Sequence, residues 1–214
     1  MDYIKTDKNG IINTDDLISK IRDDTKLISV MLVNNEIGTI QPVKNVCNIA
    51  AEYAIPVHTD AVAAYGHIPV NVKELGVDYL SVSAHKIGGA KGTGFLYAKA
   101  ANINPYIYGG GQEKGKRSGT ENVAGIMGLA KAAEIAQEKL ESRIEEENIT
   151  KNYITNRILR EIKGSTLNGD YKKRISGNMN FAFTGINGGE LVIMLDKNGK
   201  EIIEKDEKNS NKTN

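Results

Sequence analysis

The sequence predicts an α/β fold in which a mostly parallel sheet is flanked by helices. Short runs rich in β-branched residues alternate with stretches of helical periodicity, which is the pattern of strands joined by crossover helices. Glycines bound several of these runs, as they do where a chain turns. Polar residues follow three of the predicted strands directly, which places candidate functional groups at one edge of the sheet.

Four of the predicted strands lie in the first hundred residues. The run 27–33 is apolar and short enough for a buried strand, and after Pro42 apolar residues recur at helical spacing over 43–53. Further strands are predicted at 56–60, 79–83 and 94–98. The order of strand, helix and strand predicts parallel strands with crossover connections.

The second half of the chain is predicted to be mainly helical. A long helix is expected from Glu121 onward and another over 144–162, followed by a strand at 179–183 and a helix that begins at 189. We expect three parts: a large domain (1–135), part of a smaller α+β domain (136–196) and a polar tail (197–214). The tail has charges of both signs and few apolar residues, so we expect it to be disordered.

The composition is that of a globular chain and excludes several classes of function. The 214 residues are 40% hydrophobic and 26% charged, and a net charge of +1 offers no general surface for nucleic acid. Cys47 is the one cysteine, which excludes an internal disulfide and is usual in a reducing compartment. No signal-peptide pattern and no membrane-length apolar run is present. We therefore expect a cytoplasmic protein that binds neither nucleic acid nor membranes.

Groups that could bind pyridoxal phosphate follow three of the predicted strands. Asn34, Asn35 and Glu36 follow the first strand, Asp60 ends the second, and Ser83, His85 and Lys86 stand at the end of the third. Because the carboxyl ends of parallel strands meet at one edge, these groups are expected to face one crevice. A lysine amine can bind the cofactor's aldehyde, a carboxylate can keep its ring nitrogen protonated, and a serine and a histidine can bind its phosphate.

Other interpretations of the same residues agree less well with the sequence. Taken singly, an aspartate at a strand end is as often a turn cap, and a lone histidine is more often structural. The glycine-rich segment 109–122 could bind phosphate, but Arg117 stands where a P-loop needs serine or threonine. The histidines lack zinc-ligand spacing, so no metal site is expected, and the chain has no G-x-S-x-G motif of a serine hydrolase.

The motifs of this chain closely resemble those of the cysteine desulfurases of the NifS and IscS type, which are class V aminotransferases of fold type I. The resemblance covers about residues 2–195 and keeps the family's order and spacing. It rests on VNNEIG (33–38), HTDA (58–61), GHIPV (66–70), SAHK (83–86), KGTG (91–94), GGGQE (109–113) and RSGTEN (117–122). It implies that 1–135 is the remainder of a large domain that binds pyridoxal phosphate.

The resemblance also implies a role for each candidate residue. Lys86 corresponds to the lysine that forms the Schiff base with pyridoxal phosphate, and Asp60 to the carboxylate that pairs with the pyridine nitrogen. Ser83 and His85 correspond to phosphate ligands. Asn35 corresponds to the asparagine near the cofactor and the substrate.

Thr120 matches a threonine that, in this family, reaches the phosphate bound to the neighbouring subunit. The resemblance therefore implies a homodimer with shared active sites. The family reaction moves sulfur from L-cysteine to an enzyme cysteine and gives alanine and a persulfide. That sulfur serves iron–sulfur clusters or thiolated RNA, which implies a sulfur acceptor or an iron–sulfur scaffold protein as a further partner.

Three departures from the family pattern limit what we expect of this chain alone. Ala63 stands where the family has a glutamine near the cofactor's phenolic oxygen. Met1 aligns well inside the family's large domain, so the histidine that stacks on the cofactor ring is missing, and the end lacks the loop with the sulfur-accepting cysteine and the substrate arginine. Cys47 lies in the predicted helix 43–53, where we expect a buried structural thiol rather than a replacement.

Three hypotheses follow from these observations. The first is a cysteine desulfurase chain, truncated at both ends, that keeps the lysine and the aspartate but has no turnover alone, because persulfide chemistry needs a thiolate. The second is a non-catalytic gene product or a module that complements a related subunit. The third keeps pyridoxal phosphate but uses it for another reaction of amino acids.

Overall fold

The computed structural model describes residues 1–100 and 103–197. Its centre is a four-stranded sheet in the order β1 (Ile28–Met31), β2 (Val57–Asp60), β3 (Tyr79–Ser83) and β4 (Gly94–Ala98). The first three strands are parallel, and β4 lies antiparallel to β3 at the edge. A connection between parallel strands needs about a dozen residues or more, usually a helix. The link between β3 and β4 is shorter than this, so it can join only antiparallel strands. The predicted mostly parallel sheet is confirmed.

One face of this sheet forms the hydrophobic core. Alternate strand residues such as Val57, Leu80 and Val82 lie on this face and are buried. The helix α2 (Val43–Glu52) covers them, and its buried residues at helical spacing are Val43, Val46, Cys47 and Ala50. On the opposite face, polar side chains such as His58 and Ser81 stay partly accessible.

Two short helices in this half were not predicted. In α1 (Thr14–Lys20) the side chain of Asn13 accepts hydrogen bonds from the backbone amides of the second and third helical residues, and Asn71 does the same for α3 (Val72–Leu75). Gly76 ends α3 in the left-handed conformation at φ +78°. Helices of one or two turns show too little periodicity to be recognised from sequence.

The remaining elements follow a loop that contains the single turn α4 (Gln112–Gly115). They are α5 (Val123–Glu138), α6 (Leu140–Glu161), an antiparallel pair β5 (Ser165–Leu167) and β6 (Phe181–Phe183), and α7 (Gly188–Lys197). The strand β5 was not predicted. The predicted boundary after residue 135 falls inside α5, and the division into domains stays a prediction. Lys197 ends a helix rather than beginning the polar tail, and 198–214 lie outside the described residues.

In the part of the chain that the structure describes, no helix combines the length and the apolar character needed to cross a bilayer.

Candidate functional site

Three parallel strands bring their carboxyl ends, and the candidate residues, to one edge of the sheet. Asp60 ends β2 and pairs in register with Met31 of β1 and Ser81 of β3. Ser83 ends β3 two positions after Ser81, so it lies on the same face as Asp60. Because neighbouring strands are about 4.8 Å apart and Ser81 is the residue opposite Asp60, the side chains of Asp60 and Ser83 lie diagonally across two adjacent strands at the carboxyl edge of the sheet.

Asp60 is held by the backbone that follows it. Its Oδ1 accepts a hydrogen bond from the amide of Val62 at 2.8 Å, which makes a local turn at the end of β2. The side chain is partly buried. A carboxylate fixed in this way needs little further ordering to bind a cationic group.

The lysine follows Ser83 on a short 3-10 helix (Ala84–Ile87). Ser83 Oγ and His85 Nδ1 are hydrogen-bonded at 2.7 Å, so the two predicted phosphate ligands are adjacent. Lys86 and His85 are exposed, whereas Ala84 is fully buried and anchors the turn. Gly89 cannot be replaced easily, because a Cβ there would lie 2.9 Å from the Cβ of Ala84. The backbone that bears the exposed Lys86 amine is therefore held in place by the buried Ala84 and by the close packing of Gly89 against it.

Asn35 lies on the loop that follows β1. The preceding side chain, that of Asn34, accepts hydrogen bonds from the amides of Glu36 and Ile37 at 2.9 and 3.0 Å. Asn35 itself is exposed at the tip of this turn. The structure thus places Asn35 on an exposed loop that follows the carboxyl end of β1 at Met31.

The glycine-rich segment 109–122 forms a compact loop before α5. Glu113 and Lys114 adopt left-handed backbone angles, with φ of +50° and +56°, which is uncommon for residues other than glycine. Gln112 Oε1 accepts a hydrogen bond from the amide of Gly119 at 3.0 Å and closes the loop. Thr120 is exposed immediately after this closure, so its hydroxyl is available to a group outside the described chain.

A histidine that sequence reasoning assigned no role lies beneath this edge. His58 Nδ1 contacts Ser29 Oγ and His58 Nε2 contacts Ser81 Oγ, each at 2.8 Å, so one side chain joins all three parallel strands. Burial lowers the pKa of His58, while the nearby Asp60 acts in the opposite direction. A neutral ring, with one donor and one acceptor, suits two serine hydroxyls. The alternation of side chains along each strand puts Ser29, His58 and Ser81 on the same face, and this is the sequence signal that could have indicated their contact.

Cys47 behaves as the sequence predicted for a structural thiol. It is buried in α2 against the sheet. Burial, with a smaller contribution from Asp78, raises the pKa of Cys47 to about 11. Because only the thiolate is a good nucleophile, this residue is unsuited to accept sulfur near neutral pH.

The residues at this edge match the functional groups of pyridoxal phosphate. Lys86 offers an amine for the aldehyde, Asp60 a carboxylate for the ring nitrogen, and the hydrogen-bonded pair Ser83 and His85 a hydroxyl or ring N–H donor for the phosphate. Asn35 lies on the exposed loop after β1. In contrast, in residues 1–100 and 103–197 no group of three or more histidine, cysteine or carboxylate side chains is arranged to bind a metal ion.

Comparison with known proteins gives one family. Residues 1–204 match the family model described as aminotransferase class-V. A relative from Dictyoglomus turgidum named cysteine desulfurase IscS is 47% identical over 201 residues, which are 94% of this chain and 51% of the relative. A second, from Methanosarcina thermophila, is 46% identical over 92% of this chain and 49% of its own length. The chain thus spans about half the length of the curated relatives it matches.

Solved structures agree with this comparison. A structure titled NifS-like protein superposes with a TM-score of 0.90 at 36% identity and covers 95% of this chain and 56% of its own. The NifS-like protein from Rickettsia africae gives 0.86 at 26% identity, with 95% and 57% covered. The predicted fold, part of a fold-type I large domain with flanking helices, is confirmed.

Proposed function

The chain belongs to the aminotransferase class-V family, and from this premise we propose that it binds pyridoxal phosphate and serves in the desulfuration of L-cysteine. The observation that supports this most is the shared sheet edge of Asp60, Ser83 and the turn that bears Lys86. Relatives named cysteine desulfurase at 40–47% identity support the choice of substrate class. A sulfur acceptor or an iron–sulfur scaffold protein is the partner that this reaction needs.

Each residue at the edge has a defined task in this proposal. Pyridoxal phosphate supplies an electron-withdrawing ring that stabilises negative charge next to the substrate's amino group. Lys86 binds the cofactor through Nζ and afterwards moves protons at that atom. The carboxylate of Asp60 would hold a proton on the ring nitrogen. Because Ser83 Oγ and His85 Nδ1 are hydrogen-bonded to each other, a neutral His85 leaves one donor of the pair for the phosphate, either Ser83 Oγ–H or His85 Nε2–H, and a protonated His85 lets both donate. Asn35 lies near the cofactor and the substrate, at the outer side of the crevice.

The sulfur-accepting step is not assigned to this chain. Its one cysteine is buried in α2, and the pKa of that thiol is raised to about 11, so very little thiolate forms near pH 7. We therefore propose that the pure chain binds the cofactor but gives no desulfurase turnover. Alanine formation from L-cysteine by the pure chain would contradict this.

Cofactor binding is tested by mixing the chain with pyridoxal phosphate, recording the absorbance, reducing with borohydride and locating the modified lysine by mass spectrometry. We expect the label on Lys86. The matched variants are Lys86→Ala, which should lose the label, and Lys91→Ala, which removes an exposed lysine nearby and should keep it. No labelling, or labelling at another lysine, would overturn the proposed site.

A homodimer is the second part of the proposal, and exposed apolar side chains around the Thr120 loop support it. Tyr106 and Tyr108 are 97% and 78% exposed, and Val123 and Met127 on α5 are 66% and 65% exposed. Burying such residues between subunits removes apolar surface from water, and Thr120 would then reach the neighbouring cofactor phosphate.

Light scattering with size-exclusion chromatography tests the dimer. We expect a dimer for the unaltered chain and a monomer for the double variant Val123→Asp, Met127→Asp. Ile149→Asp is the control, because Ile149 is 65% exposed but lies on α6. A monomer at every concentration of the unaltered chain would instead favour the non-catalytic or complementing product.

A further inference from the structure

The loop that presents Asn35 is closed by its own backbone and by Asn34. The amide of Asn34 donates to the carbonyl of Thr39 at 2.9 Å, and the amide of Gly38 donates to the carbonyl of Asn34 at 3.0 Å. The Asn34 side chain binds the amides of Glu36 and Ile37. The Asn35–Glu36 peptide contains the N–H group of Glu36. A residue of the same loop, Asn34, therefore holds this peptide in place.

The carbonyl of Glu36 is fixed from a distant part of the chain. Asn178 Nδ2 and Asn180 Nδ2 both donate to it, at 3.0 and 3.2 Å. Asn168 Nδ2 donates at 2.8 Å to Asn180 Oδ1, which orients that amide. We call Asn168, Asn178 and Asn180 the amide clasp. Because a carbonyl oxygen has two lone pairs, two donors saturate it and fix the orientation of its peptide plane.

The segment that bears the clasp is itself seated firmly against the loop. The amide of Ile175 donates to the carbonyl of Gly38 at 3.1 Å, and the amide of Ile40 donates to the carbonyl of Lys173 at 2.8 Å. Arg174 is 5% exposed and donates to the carbonyls of Asp170 and Asn168, so it stiffens the turn from within. The clasp cannot shift without breaking these bonds.

We propose that the amide clasp is a positioning device that sets the shape of the 34–38 loop and thereby presents Asn35 to the cofactor crevice. This inference rests on the proposed function. Without the clasp, the Glu36 carbonyl can rotate into solvent, and the Glu36–Ile37 peptide, one residue beyond Asn35, gains freedom. The segment 168–180, which follows α6, thus contributes to the site through the loop that bears Asn35.

The first test measures amide hydrogen exchange without cofactor. In the double variant Asn178→Ala, Asn180→Ala we expect the amides of Glu36 and Ile37 to exchange about tenfold faster, because two hydrogen bonds to the loop are lost. The amides inside β1 and β2 should be unchanged. The control is Asn152→Ala, an exposed asparagine on α6. Unchanged exchange of Glu36 and Ile37 would overturn the proposal.

The second test measures pyridoxal phosphate affinity by absorbance titration in a double-mutant cycle with Asn35→Ala. We expect the clasp variant to bind about fivefold more weakly when Asn35 is present and about equally when it is not, because the clasp acts through Asn35. Equal weakening in both backgrounds would show general structural damage and overturn the inference. If the unaltered chain binds no cofactor, the proposed function is overturned. The exchange rates of the Glu36 and Ile37 amides then still test whether the clasp sets the shape of the loop.

Discussion

The sheet region (residues 28–98) and the helical region (residues 140–197) are stabilised in different ways. Within the described residues, the main hydrophobic cluster lies between Leu17 and Val82, with Ile175 as its single member from the helical region. The helix α7 has no buried residue, and Ile193 and Met194 on it are 57% and 64% exposed. The sheet region therefore packs around its own core, whereas the helical region depends on the contacts that dock it.

This difference separates the residues that stabilise the fold from those that form the candidate site. The sheet's buried face provides the stability, and its polar face and carboxyl edge provide the candidate chemistry. The helical region contributes little core, but its segment 168–180 holds a loop of the site. Substitutions should therefore affect the two regions very differently.

The largest effect is expected for Leu80→Ala. Leu80 is 1% exposed in the centre of the sheet, so removing its side chain leaves a cavity and costs about 2–5 kcal/mol in the free energy of unfolding. Leu159→Ala on α6, where the leucine is 42% exposed, should cost less than about 1 kcal/mol. Urea unfolding measures both. Similar costs would contradict the contrast between the regions.

A smaller effect is expected for Gly38→Ala, at the junction of the two regions. Gly38 has φ +71°, and a Cβ would lie 2.7 Å from atoms of the Asn178 side chain. We expect a loss of about 1–3 kcal/mol, because the strained backbone and the clash add. The control is Gly128→Ala in α5, where a Cβ meets nothing within 4 Å and should stabilise by about 0.5–1 kcal/mol. Thermal unfolding that shows the same sign for both would refute this.

The burial of Cys47 predicts a dependence of stability on pH. Folding raises the pKa of this thiol from 9.0 to about 11, so the folded state keeps its proton to higher pH than the unfolded chain. This stabilisation is fully present below pH 9 and is lost as pH rises through 11. We expect the free energy of unfolding to fall more steeply over this range than in Cys47→Ala. Identical slopes for the two proteins would mean that the thiol is accessible.

The smallest effect is expected for Glu161→Gln at the end of α6. Arg157 and Arg160 lower the pKa of Glu161 to about 2, so any stabilisation is present above pH 4.5 and is lost as pH falls toward 2. The carboxylate is exposed, and water and salt screen such pairs. We expect no detectable change in the unfolding midpoint at pH 7, as for Glu134→Gln on α5. A large shift would show that the helical region has more electrostatic stabilisation than its exposure suggests.

The elements of the sheet region were predictable because each is a local pattern. The four strands fall inside or on the predicted ranges, and α2 begins at the predicted residue 43. The helices α1 and α3 and the strand β5 were missed because they are too short for a period to show. Asp60, Ser83 and Lys86 could be named in advance, because a polar group directly after a strand is visible in sequence.

By itself, the sequence indicated the family through the order and spacing of its motifs, located the strands of the sheet through their local patterns, and offered the candidate residues at the strand ends. Only the tertiary structure decided that His58 joins three strands, and that Asn178 and Asn180 bind the carbonyl of Glu36. The physical reason is distance along the chain. These hydrogen bonds join residues that are 23 to 144 positions apart, and a local pattern cannot show which distant donor meets which acceptor.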